Sequence, residues 1–142
     1  MERMTRLGIG SAALLVLVSC TFNPTIQRAE STRTGHEDVV AVSIRPADAD
    51  HIKSRQLYFS LVLFDCAGSR EGFPATPYIG GQPAAEFKFP VSGELVQIVG
   101  RVPTAILDGY RSPCVFLRGG GYFTGKILSA PAPVTVVASG PN

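Results

Sequence analysis

The sequence predicts an all-β domain, a single antiparallel β-sandwich of about seven strands, immunoglobulin-like or transthyretin-like in shape. Short runs of β-branched and aromatic residues alternate with turn signals, and the chain contains 15 Gly and 11 Pro. No long segment after residue 38 has the 3.6-residue period of an amphipathic helix. These observations favour two packed sheets over a helical or mixed α/β fold.

The first predicted strands lie in the middle of the chain. Residues 39–45 (VVAVSIR) are rich in β-branched residues and stop before Pro46, and residues 46–55 form a polar connection with room for one helical turn. Residues 56–66 (QLYFSLVLFDC) form the strongest strand, and apolar residues occupy both of its faces. A strand with two apolar faces is typical of the centre of a sheet.

The second half of the chain predicts five shorter strands with a possible short helix at 103–110. Pro90 indicates an edge position or an end for the first of these strands, and Gly100 suggests a β-bulge in the second. Gly119, Gly120 and Gly121 predict the turn of a hairpin. The five strands are residues 86–91, 95–102, 113–118, 122–128 and 134–138.

The first twenty residues have the pattern of an export signal. Arg3 and Arg6 precede an apolar segment at 7–18, which is too short to cross a bilayer. Residues 17–20 read Leu-Val-Ser-Cys and resemble the lipobox of bacterial lipoproteins. The resemblance implies removal of residues 1–19, lipidation of Cys20 and a membrane partner through that lipid anchor. The alternative is an ordinary secretory signal whose boundary contains a cysteine.

The resemblance also implies a location in the bacterial cell envelope. Among Gram-negative lipoproteins, Asp after the lipidated cysteine commonly retains the protein in the inner membrane, and this chain has Thr21 instead. We therefore expect an outer-membrane anchor. The formal net charge of +2 for the full chain provides no electrostatic case for a nucleic-acid partner.

The chain contains three cysteines. Lipidation of Cys20 leaves Cys66 and Cys114, and an even pair in an oxidising compartment predicts one disulfide. A reactive thiol is the alternative, although the chain has no C-x-x-C motif. The predicted organisation is a signal peptide at 1–19, a flexible tether at 20–38 and a sandwich at 39–142, with an N-terminal edge strand as the alternative to the tether.

Motifs for chemistry are weak. Residues 120–126 (GGYFTGK) match the start of a phosphate-binding loop, but Ile127 replaces the Ser or Thr that binds magnesium, so we interpret them as a hairpin. Asp48, Asp50 and His51 resemble the start of a calcium loop but lack its glycine and its final glutamate. We therefore predict no catalytic residues, no metal site and no cofactor, with a hydrolase that has no visible motif as the alternative.

The loop at 67–83 is the predicted contact surface, because long loops on a rigid scaffold often bind partners. Its candidate binding residues are Phe73, Pro74, Pro77, Tyr78 and Ile79. The alternative is an Ω-loop that packs its aromatic rings on its own domain. Together these features predict a lipid-anchored structural or interaction module that binds another envelope protein. The alternative function is a small ligand-binding or enzyme-inhibitor lipoprotein.

Overall fold

A computed structural model describes residues 20–68, 71–84, 94–121 and 125–138 of the protein. Two packed sheets surround one hydrophobic core, which confirms the predicted all-β sandwich. In chain order the elements are β1 (Thr21–Phe22), β2 (Ile26–Thr34), β3 (Glu37–Ile44), α1 (Pro46–Ser54), β4 (Tyr58–Asp65), β5 (Phe73–Ala75), β6 (Tyr78–Ile79), β7 (Gln82–Pro83), β8 (Val96–Pro103), α2 (Thr104–Asp108), β9 (Pro113–Gly121), β10 (Gly125–Leu128), β11 (Ala132–Pro133) and β12 (Thr135–Val137).

The strands divide into two sheets that the chain visits alternately. The first sheet has the order β1-β10-β9-β4-β5, and β11 also pairs with β9; the second has the order β12-β2-β3-β8-β6-β7. Most pairs are antiparallel, as predicted. Two edge pairs, β1 with β10 and β12 with β2, are parallel, so both sheets are mixed. The predicted strand at 86–91 lies outside the described residues.

Buried apolar side chains explain the central strands. In β3 the side chains of Val40, Val42 and Ile44 are fully buried, and residues between them are half-buried. In β4, Leu61 and Leu63 face the core, while Phe64 lies on the opposite face and is also buried. The strand lies between β9 and β5, so the predicted central position is confirmed.

Gly100 is a packing position. Gly100 pairs with Val40 and the register of β3 with β8 is unbroken there, so the predicted bulge at this position was wrong. A Cβ atom on Gly100 would lie 2.8 Å from Cδ1 of Leu61 and 3.1 Å from Cβ of Ala75, both in the first sheet. The missing side chain therefore lets the two sheets approach closely at this point.

The segment at 20–38 corrects the prediction of a flexible tether. Strand β2 pairs along its length with β3, and β1 pairs with β10. Ala29 and Ser31 of β2 are buried against the domain. The alternative, an N-terminal edge strand packed on the domain, describes this segment, although β12 covers the outer edge of β2.

Helix α1 links the second sheet to the first. It begins at Pro46, a residue suited to the first turn of a helix, and its buried residues include Ala49 and Ile52. It joins the end of β3 to the start of β4 and closes one end of the sandwich. Within the described residues, no helix combines the length and apolar character needed to cross a bilayer.

Candidate functional site

Cys20 is the described cysteine with a free thiol, and its side chain is exposed. Its backbone is fixed to the domain, because the N–H of Lys126 donates to the Cys20 carbonyl at 3.2 Å. The next two residues continue this contact as β1, with Thr21 opposite Lys126 and Phe22 opposite Ile127. The predicted lipidation residue therefore lies directly on the edge of the first sheet, with no intervening spacer.

Gly125 makes room for this contact. It has a φ of 109°, a backbone conformation that favours glycine. A Cβ atom at this position would lie 2.5 Å from the carbonyl oxygen of Cys20. The second glycine of the motif that resembled a phosphate-binding loop therefore has a structural role. The residues on either side of the turn, 120–121 and 125–126, pair as part of β9 and β10. Residues 122–124 of that motif lie outside the described residues.

Two further contacts hold the residues after Cys20. The ring of Phe22 stacks on His51 of α1, with centroids 4.0 Å apart and planes 24° apart. The Asn23 side-chain amide donates to the Leu128 carbonyl at 2.7 Å. These contacts join the N-terminal segment to α1 on one side and to the end of β10 on the other, so Cys20 has a defined position relative to the whole domain.

Cys20 marks one end of the sandwich, which we call the Cys20 end. Thr21, Lys126, Gly120 and Tyr58 lie side by side in register across the first sheet at this end. The C-terminal turn of α1 leads to Tyr58 and belongs to the same end. The opposite end, where β4 finishes and β9 begins, is the disulfide end.

The disulfide between Cys66 and Cys114 confirms the predicted pairing. The two Cα atoms are 5.7 Å apart, and the bond joins the residue after β4 to the neighbouring strand β9. The link lies within the first sheet. It closes a long stretch of chain, with a sequence separation of 48 residues.

Asp65 organises the corner beside the disulfide. Its carboxylate accepts hydrogen bonds from the backbone N–H groups of Ala67 at 3.0 Å, Arg111 at 3.2 Å and Ser112 at 2.9 Å. These donors, with Ala67 the largest contributor, lower the pKa of Asp65 below its ordinary value. The ionised carboxylate thus holds together the turn after β4 and the residues that lead into β9.

The five loop residues predicted to bind a partner do not share one surface. The segment crosses between the sheets, since β5 belongs to the first and β6 to the second. Pro77 and Ile79 are buried, and Phe73 is half-buried against the core. Pro74 and Tyr78 are exposed, but they lie on the outward faces of different sheets.

An apolar depression on the outward face of the first sheet was not found from the sequence. We call it the outer groove; it has a volume of about 390 Å³ and is lined by Asn23, Phe64, Phe116, Leu128, Ser129, Ala130 and Pro131. The rings of Phe64 and Phe116 meet edge to face with centroids 5.4 Å apart. Leu128 is 46% exposed. The apolar residues on both faces of β4 were the available signal, but they indicated only a central strand.

The Arg33 side chain links β2 to β3 and to α2 at the disulfide end. Its Nε donates to buried Asp38 at 3.2 Å, and its Nη2 donates to Asp108 of α2 at 2.6 Å. Both carboxylates raise the pKa of Arg33 above its ordinary value, with the hydrogen bond to Asp38 as the largest cause. This pairing satisfies a carboxylate that would otherwise be buried without a partner.

The residues that resembled a cation-binding loop have structural contacts instead. Asp48 is buried in α1, where it accepts hydrogen bonds from the Arg45 side chain and from the backbone N–H of Thr25. His51 stacks on Phe22. In the described part of the chain, no three His, Cys, Asp or Glu side chains form a group that could hold a metal ion.

Neither a comparison with models of known protein families nor a comparison with curated proteins finds a match to this chain. The function is therefore inferred from the residues and the geometry described above.

Proposed function

We propose that the protein is a lipoprotein of the bacterial cell envelope, anchored in the outer membrane through Cys20, and that its β-sandwich binds another envelope protein. The observation that carries the anchor is the division of the cysteines. Cys66 and Cys114 form a disulfide, whereas Cys20 is exposed at the edge of the domain with a free thiol. A disulfide is also typical of an oxidising compartment.

A lipidated Cys20 explains how so small a domain stays on a membrane. One acyl chain gives marginal binding, whereas two or more hold firmly because each buried methylene contributes about 0.8 kcal/mol. The residues before the cysteine (Leu-Val-Ser) supply the lipobox resemblance, and Thr21 supplies the expectation of the outer membrane.

Metabolic labelling with radioactive palmitate tests the anchor. We expect label in the natural protein and none in Cys20→Ala. A double variant, Cys66→Ala with Cys114→Ala, is the matched control, because it removes two cysteines but keeps Cys20 and should keep its label. Equal labelling of the natural protein and Cys20→Ala would overturn the lipid anchor.

For the partner contact we propose the outer groove rather than the loop at 67–83. The groove presents Phe116 and Leu128 on one continuous outward face, whereas Pro74 and Tyr78 lie on different faces. Apolar and aromatic side chains at the centre of a contact are typical of protein interfaces. The expected partner therefore presents apolar side chains to this face.

Photo-crosslinking in native cells distinguishes the two surfaces. A photoreactive residue at Leu128 should yield one adduct of defined mass, which should weaken when Phe116→Glu is added in a protein that remains folded. The same probe at Tyr78 is the comparison, because this side chain is 37% exposed on the second sheet. An adduct at Tyr78 alone would favour the loop, and adducts insensitive to Phe116→Glu would argue against the groove.

A further inference from the structure

The position of Cys20 leaves no length of free chain between a lipid on its sulfur and the folded domain. Its carbonyl already accepts a hydrogen bond from Lys126, and Thr21 begins β1. A coil of eighteen residues would have separated lipid and domain by roughly 20–25 Å. With this spacing absent, the surface next to Cys20 is brought to the lipid head groups by geometry alone.

That surface contains basic side chains with no acidic partner among the described residues. Lys53 lies in the last turn of α1, Arg55 follows the helix, and Lys126 lies opposite Thr21; all three side chains are exposed. Tyr58, in the same row as Lys126, is 55% exposed. Tyrosine is enriched where membranes meet water, and Lys and Arg bind anionic head groups.

Two arginines of the disulfide end form ion pairs. Arg33 binds Asp38 and Asp108, and Arg101 lies 3.5 Å from Glu37. At the Cys20 end, Asp50 and Glu94 are exposed acids, so the basic excess there is small. The two ends therefore differ in whether their basic side chains are already held in ion pairs. We expect the basic side chains of the Cys20 end to affect the orientation of the domain more than its attachment to the membrane.

We propose that the Cys20 end rests on the membrane surface and that Lys53, Arg55 and Lys126 bind the head groups of anionic phospholipids, which orients the sandwich with its disulfide end away from the bilayer. The proposal rests on the lipid anchor proposed above. Each basic residue near an anionic surface is expected to favour this orientation roughly fivefold. The outer groove, on a side of the sandwich, then stays accessible.

Quenching of a fluorescent label by head-group spin labels measures this orientation in the intact mature lipoprotein. With Cys20 lipidated and the other pair bonded, an introduced cysteine is the one free thiol available for labelling. Ser54→Cys places the label at the Cys20 end, and Thr34→Cys places it at the disulfide end; both positions are exposed. The vesicles contain 30% phosphatidylglycerol in phosphatidylethanolamine, or phosphatidylcholine alone.

We expect several-fold stronger quenching at position 54 than at position 34 in the anionic vesicles. Changing Lys53, Arg55 and Lys126 together to Gln should reduce that difference in anionic vesicles and leave it unchanged in phosphatidylcholine. Changing Arg101 and Arg111 to Gln is the matched control and should have no effect. Equal quenching at both positions, or no effect of the triple variant, would overturn the proposal.

Failure of the anchor itself would give a different result. If Cys20 were not lipidated, the purified protein would accept two labels per chain instead of one and would not fractionate with the vesicles. Label stoichiometry and vesicle flotation therefore test the anchor, and the ratio of quenching between the two positions tests the orientation.

Discussion

At the scale of single residues, Asp65 shows how one carboxylate can fix a corner of the fold. Its two oxygens accept hydrogen bonds from three backbone N–H groups, one in the turn after β4 and two in the residues before β9. Hydrogen bonds to the charged form favour ionisation, which is why the pKa of Asp65 is lowered from its ordinary 3.8. A lowered pKa in the folded state makes stability depend on pH.

We predict that Asp65→Asn lowers the urea midpoint at pH 7 and that this difference disappears in acid. The contribution of Asp65 is complete above its unfolded pKa and is lost as the pH falls through the lower folded value, so natural protein and variant should converge below pH 3.8. Asp50→Asn is the control, because Asp50 is an exposed carboxylate in α1. A difference between natural protein and Asp65→Asn that persists undiminished at pH 2 would contradict this role.

Gly125 gives a second prediction at this scale. In Gly125→Ala the new Cβ would collide with the Cys20 carbonyl, and the φ of 109° is strained for alanine. We expect stability to fall by about 1–3 kcal/mol and amide hydrogen exchange to accelerate in Thr21 and Phe22. Gly109→Ala is the matched control, since its φ is −76° and its nearest neighbours would lie at 3.5 Å. Unchanged exchange in β1 would show that this contact is not needed.

At the scale of elements, the disulfide ties β4 to β9, two neighbours in the first sheet. The chain-entropy model assigns about 4 kcal/mol to a loop of this length. We predict that the double variant with alanine at positions 66 and 114 loses up to that amount in urea unfolding while its far-ultraviolet circular dichroism stays that of a β protein. The natural protein after reduction should unfold at the same urea concentration as this double variant. Equal midpoints for oxidised and reduced protein would contradict the prediction.

The accuracy of sequence reasoning depended on how each strand is buried. Strands β3, β4 and β9 could be predicted because they place large apolar residues in the core. Strand β2 could not, because its fully buried side chains, Ala29 and Ser31, are small, and apart from the half-buried Ile26 its other residues are polar. Pairing with β3 and β12 holds this strand in place, and backbone pairing leaves no periodic signal in the side chains.

For a related reason, the sequence did not indicate that the residues at 67–83 divide between two sheets. The strands of this segment have two or three residues each, too few for alternation to be recognised. Its Gly and Pro content is the same whether the segment is an open loop or a connection between sheets. Burial of Pro77 and Ile79 depends on contacts with distant strands, which one sequence does not contain.

At the scale of the whole molecule, the parallel strands β1 and β12 place residues from both ends of the described chain at sheet edges. β1 borders the first sheet and β12 the second. An edge strand with free N–H and C=O groups can pair with other chains, and short strands at the edges limit this risk. Residues 21–22 and 135–137 are thus part of the sandwich.

This arrangement predicts the effect of a spacer. Insertion of ten Gly and Ser residues between Cys20 and Thr21 should leave urea stability unchanged, because β1 keeps its pairing with Lys126 and Ile127. In phosphatidylcholine vesicles, which offer no anionic head groups to Lys53, Arg55 and Lys126, the domain should lose its fixed orientation, so the quenching ratio between labels at positions 54 and 34 should approach one. A helical insert that re-imposes a fixed separation is a useful comparison. An unchanged ratio in the flexible variant would show that something other than β1 orients the domain.

Strand β4 sets a height for the molecule. It has eight residues, and at about 3.3 Å per residue it rises about 26 Å. A domain that rests on the membrane with its Cys20 end therefore extends from the bilayer surface by about the length of its strands. A partner that approaches the outer groove would have to lie within that thin layer beside the bilayer, which favours neighbours that are themselves bound to the same membrane.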